Sequence, residues 1–153
     1  MSSGYKFINR SQLDTAIDLW NSNEGYATAI YGDINTWDVS TIRDFSYLFA
    51  YYKWFNSDIS NWDVSSGTDF SSMFRSAWYF NQDISDWDVS SGTDFSYMFQ
   101  SAIRFNQDIG RWDVSSGNNF KGMFKTATLF NQEIGEWDVG SGTDFSYMFT
   151  GAH

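Results

Sequence analysis

Trp-Asp-Val stands at Trp37, Trp62, Trp87, Trp112 and Trp137, once every twenty-five residues, inside wording that barely changes from copy to copy. A period in the range of roughly 20 to 50 residues makes each copy a unit that cannot bury its apolar side alone and must stack on its neighbours. The chain of 153 residues has the length of one domain, enough to bury about 70% of the surface its unfolded form would expose. Aromatic residues make up 21% of it, and Phe, the commonest of them, stands at fixed places in each copy. That pattern predicts an interior of stacked rings in place of the usual Leu and Val.

Each copy divides into two halves. In the first, Ile59, Trp62 and Val64 reproduce the Leu-x-x-Leu-x-Leu spacing of leucine-rich repeats, which predicts a short parallel strand with Asp63 facing away from Trp62 and Val64. In the second, Phe70, Met73, Phe74 and Ala77 fall at i, i+3, i+4, i+7, one face of about two helical turns, with Thr68 or Asp69 as cap. Gly67 reads as a corner that needs backbone angles closed to other residues. Phe55, Phe80, Phe105 and Phe130 return the chain to the core. The expected fold is therefore α/β: a leucine-rich-repeat-like, right-handed solenoid of five 25-residue coils, with one short parallel strand and one short helix per coil. Coils begin at residues 30, 55, 80, 105 and 130, and the array covers 30–153. Residues 1–29 are expected to form an N-terminal cap. Within it, Leu13, Ala16, Ile17 and Trp20 predict a capping helix over about 11–21, with Ser11 as N-cap.

Nine Lys and Arg against nineteen Asp and Glu give a formal charge of -10. That balance disfavours nucleic acid and anionic lipid, so neither is expected as a partner. No apolar run approaches the roughly 20 residues of a membrane span, and no membrane insertion is expected. There is no Cys, which removes disulfides, thiolate nucleophiles and Cys-type zinc sites. The single His153 allows no Ser-His-Asp set. Paired carboxylates do occur, but every copy carries the same acids, and catalysis needs two groups pushed apart in proton affinity. The chain is not expected to be an enzyme, and no cofactor is expected.

Candidate binding residues come from the periodic rows and from the positions that vary. Asp38, Asp63, Asp88, Asp113 and Asp138 should lie about 4.8 Å apart along the array, where like charges repel unless Ser65, Ser90 and Ser115 donate hydrogen bonds to them or cations intervene. Hydrogen bonding is the favoured answer. No metal site is assigned, and Asp63, Asp88 and Asp113 remain weak candidates for a divalent cation. A second acidic row holds Asp33, Asp58, Asp83, Asp108 and Glu133. Asn56, Asn81, Asn106 and Asn131 predict a structural ladder of side-chain amides. Tyr47, Tyr97 and Tyr147 on the expected helix, Arg111 and Glu136 before the Trp, and the loop pairs Trp78-Tyr79, Ile103-Arg104 and Thr128-Leu129 vary between copies, as binding residues do. The last copy stops at Thr150-Gly151-Ala152-His153 without a polar closing segment. An uncapped C-terminal coil of that kind is expected to meet a further copy or to self-associate end to end.

The wording Phe-Asn-Gln-Asp-Ile-Ser-x-Trp-Asp-Val-Ser-Ser, followed by Thr-Asp-Phe-Ser-x-Met-Phe and Ala, resembles the BspA-like repeat family, also called the mycoplasma lipoprotein or DUF285 repeat, over residues 30–153. That resemblance implies an extracellular or cell-surface array for adhesion or protein contact, without catalytic residues. A protein or a surface glycan is the partner it implies. Gly67, Gly92, Gly117 and Gly142 stand where relatives carry an apolar residue, with Phe in place of Met after Thr-Asp, and only Ile42 keeps the apolar type. The lipid-attachment Cys of the mycoplasma members is lacking. End-to-end assembly as a structural subunit is the alternative function, and a divalent-cation or ice-binding surface a remote one.

Overall fold

The computed structural model describes residues 4–153. Two helices come first: α1, Arg10–Ser22, and α2, Glu24–Tyr31, followed by one 3-10 turn, Ile34–Thr36. The cap of α1 is Asn9, whose side chain accepts from the Gln12 N–H, so the helix opens before Ser11. Asn23 serves both helices: its N–H donates to the Leu19 carbonyl and its side chain accepts from the Tyr26 N–H. Leu13, Ala16, Ile17 and Trp20 form the buried face of α1. Trp20 meets Trp37 edge-on at 5.8 Å and donates its indole N–H to Ser57 Oγ at 3.0 Å. Arg10 reaches the Asp44 carboxylate and the Ser46 carbonyl. This helix thus lies on the first two copies of the repeat.

From Trp37 onward the expected α/β solenoid is overturned. Among the described residues no further helix occurs, and no strand of any length; each copy is turns, irregular backbone and one isolated parallel bridge. Between copies the bridges join Asp44, Asp69, Asp94, Asn119 and Asp144 in succession, past the Gly corner; at Trp-Asp-Val, where the strand was expected, the one bridge is that of Asp38 to Lys6 of the N-terminal segment. Trp-Asp-Val has no room to extend. The Trp62 N–H closes a turn on the Ile59 carbonyl at 3.1 Å, and Gly67 closes the next on the Val64 carbonyl at 2.8 Å.

The helix expected over Phe70 to Ala77 is replaced by three overlapping turns. The N–H groups of Met73, Arg75 and Ala77 donate to the carbonyls of Phe70, Ser72 and Phe74 three residues back. The alternate N–H groups, on Phe70, Ser72, Phe74 and Ser76, donate instead to Asp94, Ser96, Met98 and Gln100 of the next copy at 2.7–2.9 Å. An α-helix over the same residues would turn the Phe74 and Ser76 donors inward and leave only those of its first turn for a neighbour. The left-handed angles of Ser72 (φ 55°) and Ser76 (φ 58°) make the alternation possible, and Tyr47, Tyr51, Tyr97, Ser101, Thr126 and Tyr147 repeat them. Each non-glycine residue held there costs about 1–2 kcal/mol, a cost offset by hydrogen bonds between copies that a helix could not make.

The apolar spacing still places its residues inside: Phe70, Met73, Phe74 and Ala77 are fully buried. Phe45, Phe70, Phe95, Phe120 and Phe145 stack at centroid distances of 5.3–5.6 Å. A second column runs through Phe49, Phe74, Phe99, Phe124 and Phe149 at 5.4–5.7 Å. A third holds Phe55, Phe80, Phe105 and Phe130 at 5.9–6.0 Å, each ring after the first two columns lying about flat on its neighbour in the second. Gly67 is small for space and not for its angle: a Cβ there would stand 2.5 Å from Cζ of Phe70.

Phe99 touches Phe74, Phe105, Trp112 and Phe124 with no exposed surface. We expect Phe99→Ala to cost about 3–5 kcal/mol in urea unfolding, and Phe149→Ala, whose ring is 49% exposed, far less. Equal losses at the two positions would contradict the column as the source of stability.

Candidate functional site

The acidic rows are built from self-contained turns. Asp63 accepts from the Ser65 N–H at 3.1 Å and the Ser65 hydroxyl at 2.6 Å; Asp88 with Ser90 and Asp113 with Ser115 repeat this. Asp38 does the same with Ser40 and adds an ion pair to Lys6 at 3.4 Å, while Asp138 accepts only from the Gly140 N–H. The donors come from two residues further along the same copy, the geometry of an Asx turn. Asp58 with Ser60, Asp83 with Ser85, and Asp144 with Ser146 form further turns of the kind. Among the described residues no three acidic or imidazole groups are gathered where they could hold a metal ion, so the rows are spread-out caps and not a chelating cluster.

Those hydroxyls also set the proton affinities. The carboxyls of Asp38, Asp83, Asp113 and Asp144 are all held below the ordinary carboxylate range, first by the serine hydroxyl and then by the serine N–H. Tyr52 is shifted the other way: burial, then its hydrogen bond to Asp18, raises its hydroxyl.

The Asn row runs between copies. Asn56 Oδ1 accepts from the Asn81 N–H, Asn81 from Asn106, and Asn106 from Asn131, at 2.9–3.0 Å. Gln82, Gln107 and Gln132 add their amides to the same oxygens. Each rung thus sets a main-chain N–H and a Gln side-chain amide on one Asn oxygen, and the Asn side chains do not bond one another. Arg111 pairs with Asp86 at 3.4 Å with both groups open to water, a contact of little energetic weight. Glu136 is exposed.

Tyr47 and Tyr147 are 52% and 59% exposed. Tyr97, between them in the array, lies partly covered, its ring against the α-carbon of Gly122, where an added Cβ would come within 2.4 Å of it. Arg75 spans from Tyr97 to Tyr51, 5.6 and 5.8 Å from the two rings. Lys125 lies 5.5 Å from the ring of Tyr147.

The densest exposed group was only partly named by sequence reasoning. Trp54, 69% exposed, stacks on Tyr79 at 4.6 Å. Lys53 Nζ lies 4.7 Å from the Trp54 ring and 4.3 Å from Trp78, and the Arg104 guanidinium covers Tyr79 at 4.5 Å. Main-chain bonds from Tyr79 to the Lys53 carbonyl and from Arg104 to the Trp78 carbonyl hold the loops in step. Beside them runs a groove of about 320 Å³ lined by Ser76, Ser101 and Thr126 on one side and Trp78, Ile103 and Thr128 on the other. A second hollow, of about 350 Å³, lies among Asn21, Tyr51, Tyr52, Lys53 and Trp54. Lys53, Trp54 and Tyr51 were missed because their copy departs from the others in wording; the signal was the run of rings and cations over two adjacent repeat positions, Lys53-Trp54, Trp78-Tyr79 and Ile103-Arg104.

The sequence profile described as Mycoplasma protein of unknown function, DUF285, matches residues 17–128 and again 93–153. No curated protein and no solved structure matches the chain.

A carboxyl whose folded proton affinity is lowered adds stability that is fully present above its unfolded value, about pH 4, and lost as the pH falls through the folded value. We expect the melting temperature to fall on acidification below about pH 4, and Ser85→Ala to move the Asp83 carboxyl back up toward the ordinary range in an NMR titration. An unmoved Asp83 titration would remove the hydroxyl as the cause.

Proposed function

The chain belongs to the family Mycoplasma protein of unknown function, DUF285, and from that premise we propose that it is a non-catalytic recognition module of the cell surface. The observation that carries this is the edge on which the exposed rings of Trp54 and Trp78 and the half-buried ring of Tyr79 are interleaved with Lys53 and Arg104. Large rigid rings at the surface, with cations packed against them, are the anchors that binding surfaces use, because they bury much area at small entropic cost. The acidic rows support a non-catalytic reading: their carboxylates are closed in like turns with serine, so no pair is set apart as acid and base.

The binding face is accordingly placed on the ring-bearing edge, with Tyr47, Tyr97 and Tyr147 at its flank, and the Trp-Asp-Val carboxylates are assigned to turn structure. Its partner is a surface protein or glycan. No described helix is long and apolar enough to cross a membrane.

Labelled protein should bind intact bacterial or animal cells saturably, and the double variant Trp54→Ala, Trp78→Ala should lose most of that binding, about 2 kcal/mol for each anchor. Because both rings are exposed, its melting temperature should stay near that of the parent. Full retention of binding by the double variant would place recognition elsewhere.

A further inference from the structure

We propose that the ring-bearing edge binds a linear acidic polysaccharide, a polymer of sugar acids or sulfated sugars lying along the stack of copies. This rests on the recognition role just argued and names its ligand class.

The first observation is a separation of charge that the net value conceals. The segments Phe45 to Phe55, Phe70 to Phe80, Phe95 to Phe105, Phe120 to Phe130 and Phe145 to His153 contain no Asp or Glu at all. They carry Lys53, Arg75, Arg104, Lys121 and Lys125. All nineteen acids lie in the other segments. Asp18 of α1 reaches this edge at the first copy, where the Tyr52 hydroxyl donates to it. Lys53, Arg75, Arg104 and Lys125 form no ion pair among the described residues; those that form involve Lys6, Arg10 and Arg111. At physiological ionic strength charges are screened over about 8 Å, so a ligand in contact with the edge responds to the cations there more than to the net charge.

The second observation is an excess of donors. The indoles of Trp20, Trp37, Trp62, Trp87, Trp112 and Trp137 all donate to carbonyl or hydroxyl oxygens of the chain. Those of Trp54 and Trp78 find no acceptor among the described residues. With the cations, they face outward as donors, and aromatic ring edges are themselves electropositive. A ligand rich in oxyanions and hydroxyl oxygens satisfies such a surface.

The third observation selects among anionic polymers. An extended peptide would pair through main-chain groups, and four of the N–H groups along the edge are already taken: Tyr51 donates to the Arg75 carbonyl, Tyr79 to Lys53, Arg104 to Trp78 and Leu129 to Ile103. Single-stranded nucleic acid would need open ring faces for its bases, whereas Trp54 has Tyr79 stacked on it, Lys53 lies over the rings of both Trp54 and Trp78, and Arg104 covers Tyr79. A polysaccharide needs neither. The groove beside the rings continues through three copies, with the Ser76, Ser101 and Thr126 hydroxyls along one wall, a length and direction suited to a linear chain.

The test is affinity electrophoresis of the whole chain in gels containing dextran sulfate, polygalacturonate or uncharged dextran, with a thymidine oligonucleotide in a parallel shift assay. We expect retardation by at least one acidic polymer and none by dextran, weakening with salt as counterions are released. Lys53→Gln with Arg104→Gln should weaken it about fivefold for each charge removed, while Lys6→Gln with Arg43→Gln, cations outside that edge, should leave it unchanged. Equal weakening by both pairs, or tighter binding of the oligonucleotide, would overturn the assignment. So would retardation caused only by a second copy of the chain, seen as mass rising with concentration in light scattering. Saturable cell binding without retardation by either acidic polymer would refute the ligand class and leave the recognition role in place.

Discussion

Everything in the array depends on how the main-chain N–H groups between Phe70 and Ala77, and their equivalents, are shared out. Every second one points to the next copy and the rest close turns at home. Were the segment a helix, only the N–H groups of its first turn would be left for a neighbour, and the copies would be held mainly by ring contact. The left-handed residues that permit the sharing store strain. They are stable because copies on either side demand the same angles, so the strain in one is relieved only by breaking bonds to two others. Cooperativity along the stack follows from that coupling.

Ring packing and hydrogen bonding then reinforce one another. The stacked Phe columns fix the separation between copies at which the Asp94-type carbonyl meets the Phe70-type N–H. The buried Trp of each copy adds a tie of a different kind, with the Trp62 indole donating to Ile34 and Trp87 to Ile59, twenty-eight residues back. Three independent interactions therefore specify one register. A slip of one residue would break all of them together.

What could be read in advance follows from this. The period, the apolar positions and the burial of Trp62, Val64, Phe70, Met73 and Phe74 were legible because burial depends on which side chain is oily, not on how the main chain closes. The strand and helix were not, because i, i+3, i+4, i+7 spacing is satisfied equally by a helix and by three chained turns that return the chain to the same side. Only the left-handed angles separate the two, and Ser72, Ser76 and Tyr97 carry no glycine signature to announce them. Gly67 misled in the opposite direction: it suggested an unusual angle where the structure needs only room for the Phe70 ring. In the same way the acidic rows drew attention as a site because they are regular, yet their regularity belongs to the Asp-Ser turn each copy must make.

The edge at Trp54 and Tyr79 differs from those rows in kind. Where a side chain rests on its counterpart one copy away and is buried, the residue type repeats, since the space is the same each time. At the outer position the occupants are Trp54, Tyr79, Arg104 and Leu129, four chemistries on one repeating main chain. Stability does not require that variety, as a row of identical rings stacks well in the interior. A uniform edge would also hold a polymer in any register, since each shift by one copy would restore the same contacts. An edge that passes from indole to phenol to guanidinium to an alkyl side chain has a beginning and an end, so a ligand laid along it meets a different surface at each step. A rigid periodic interior that carries a non-periodic edge is therefore suited to recognising order along a chain, beyond merely attracting its charge.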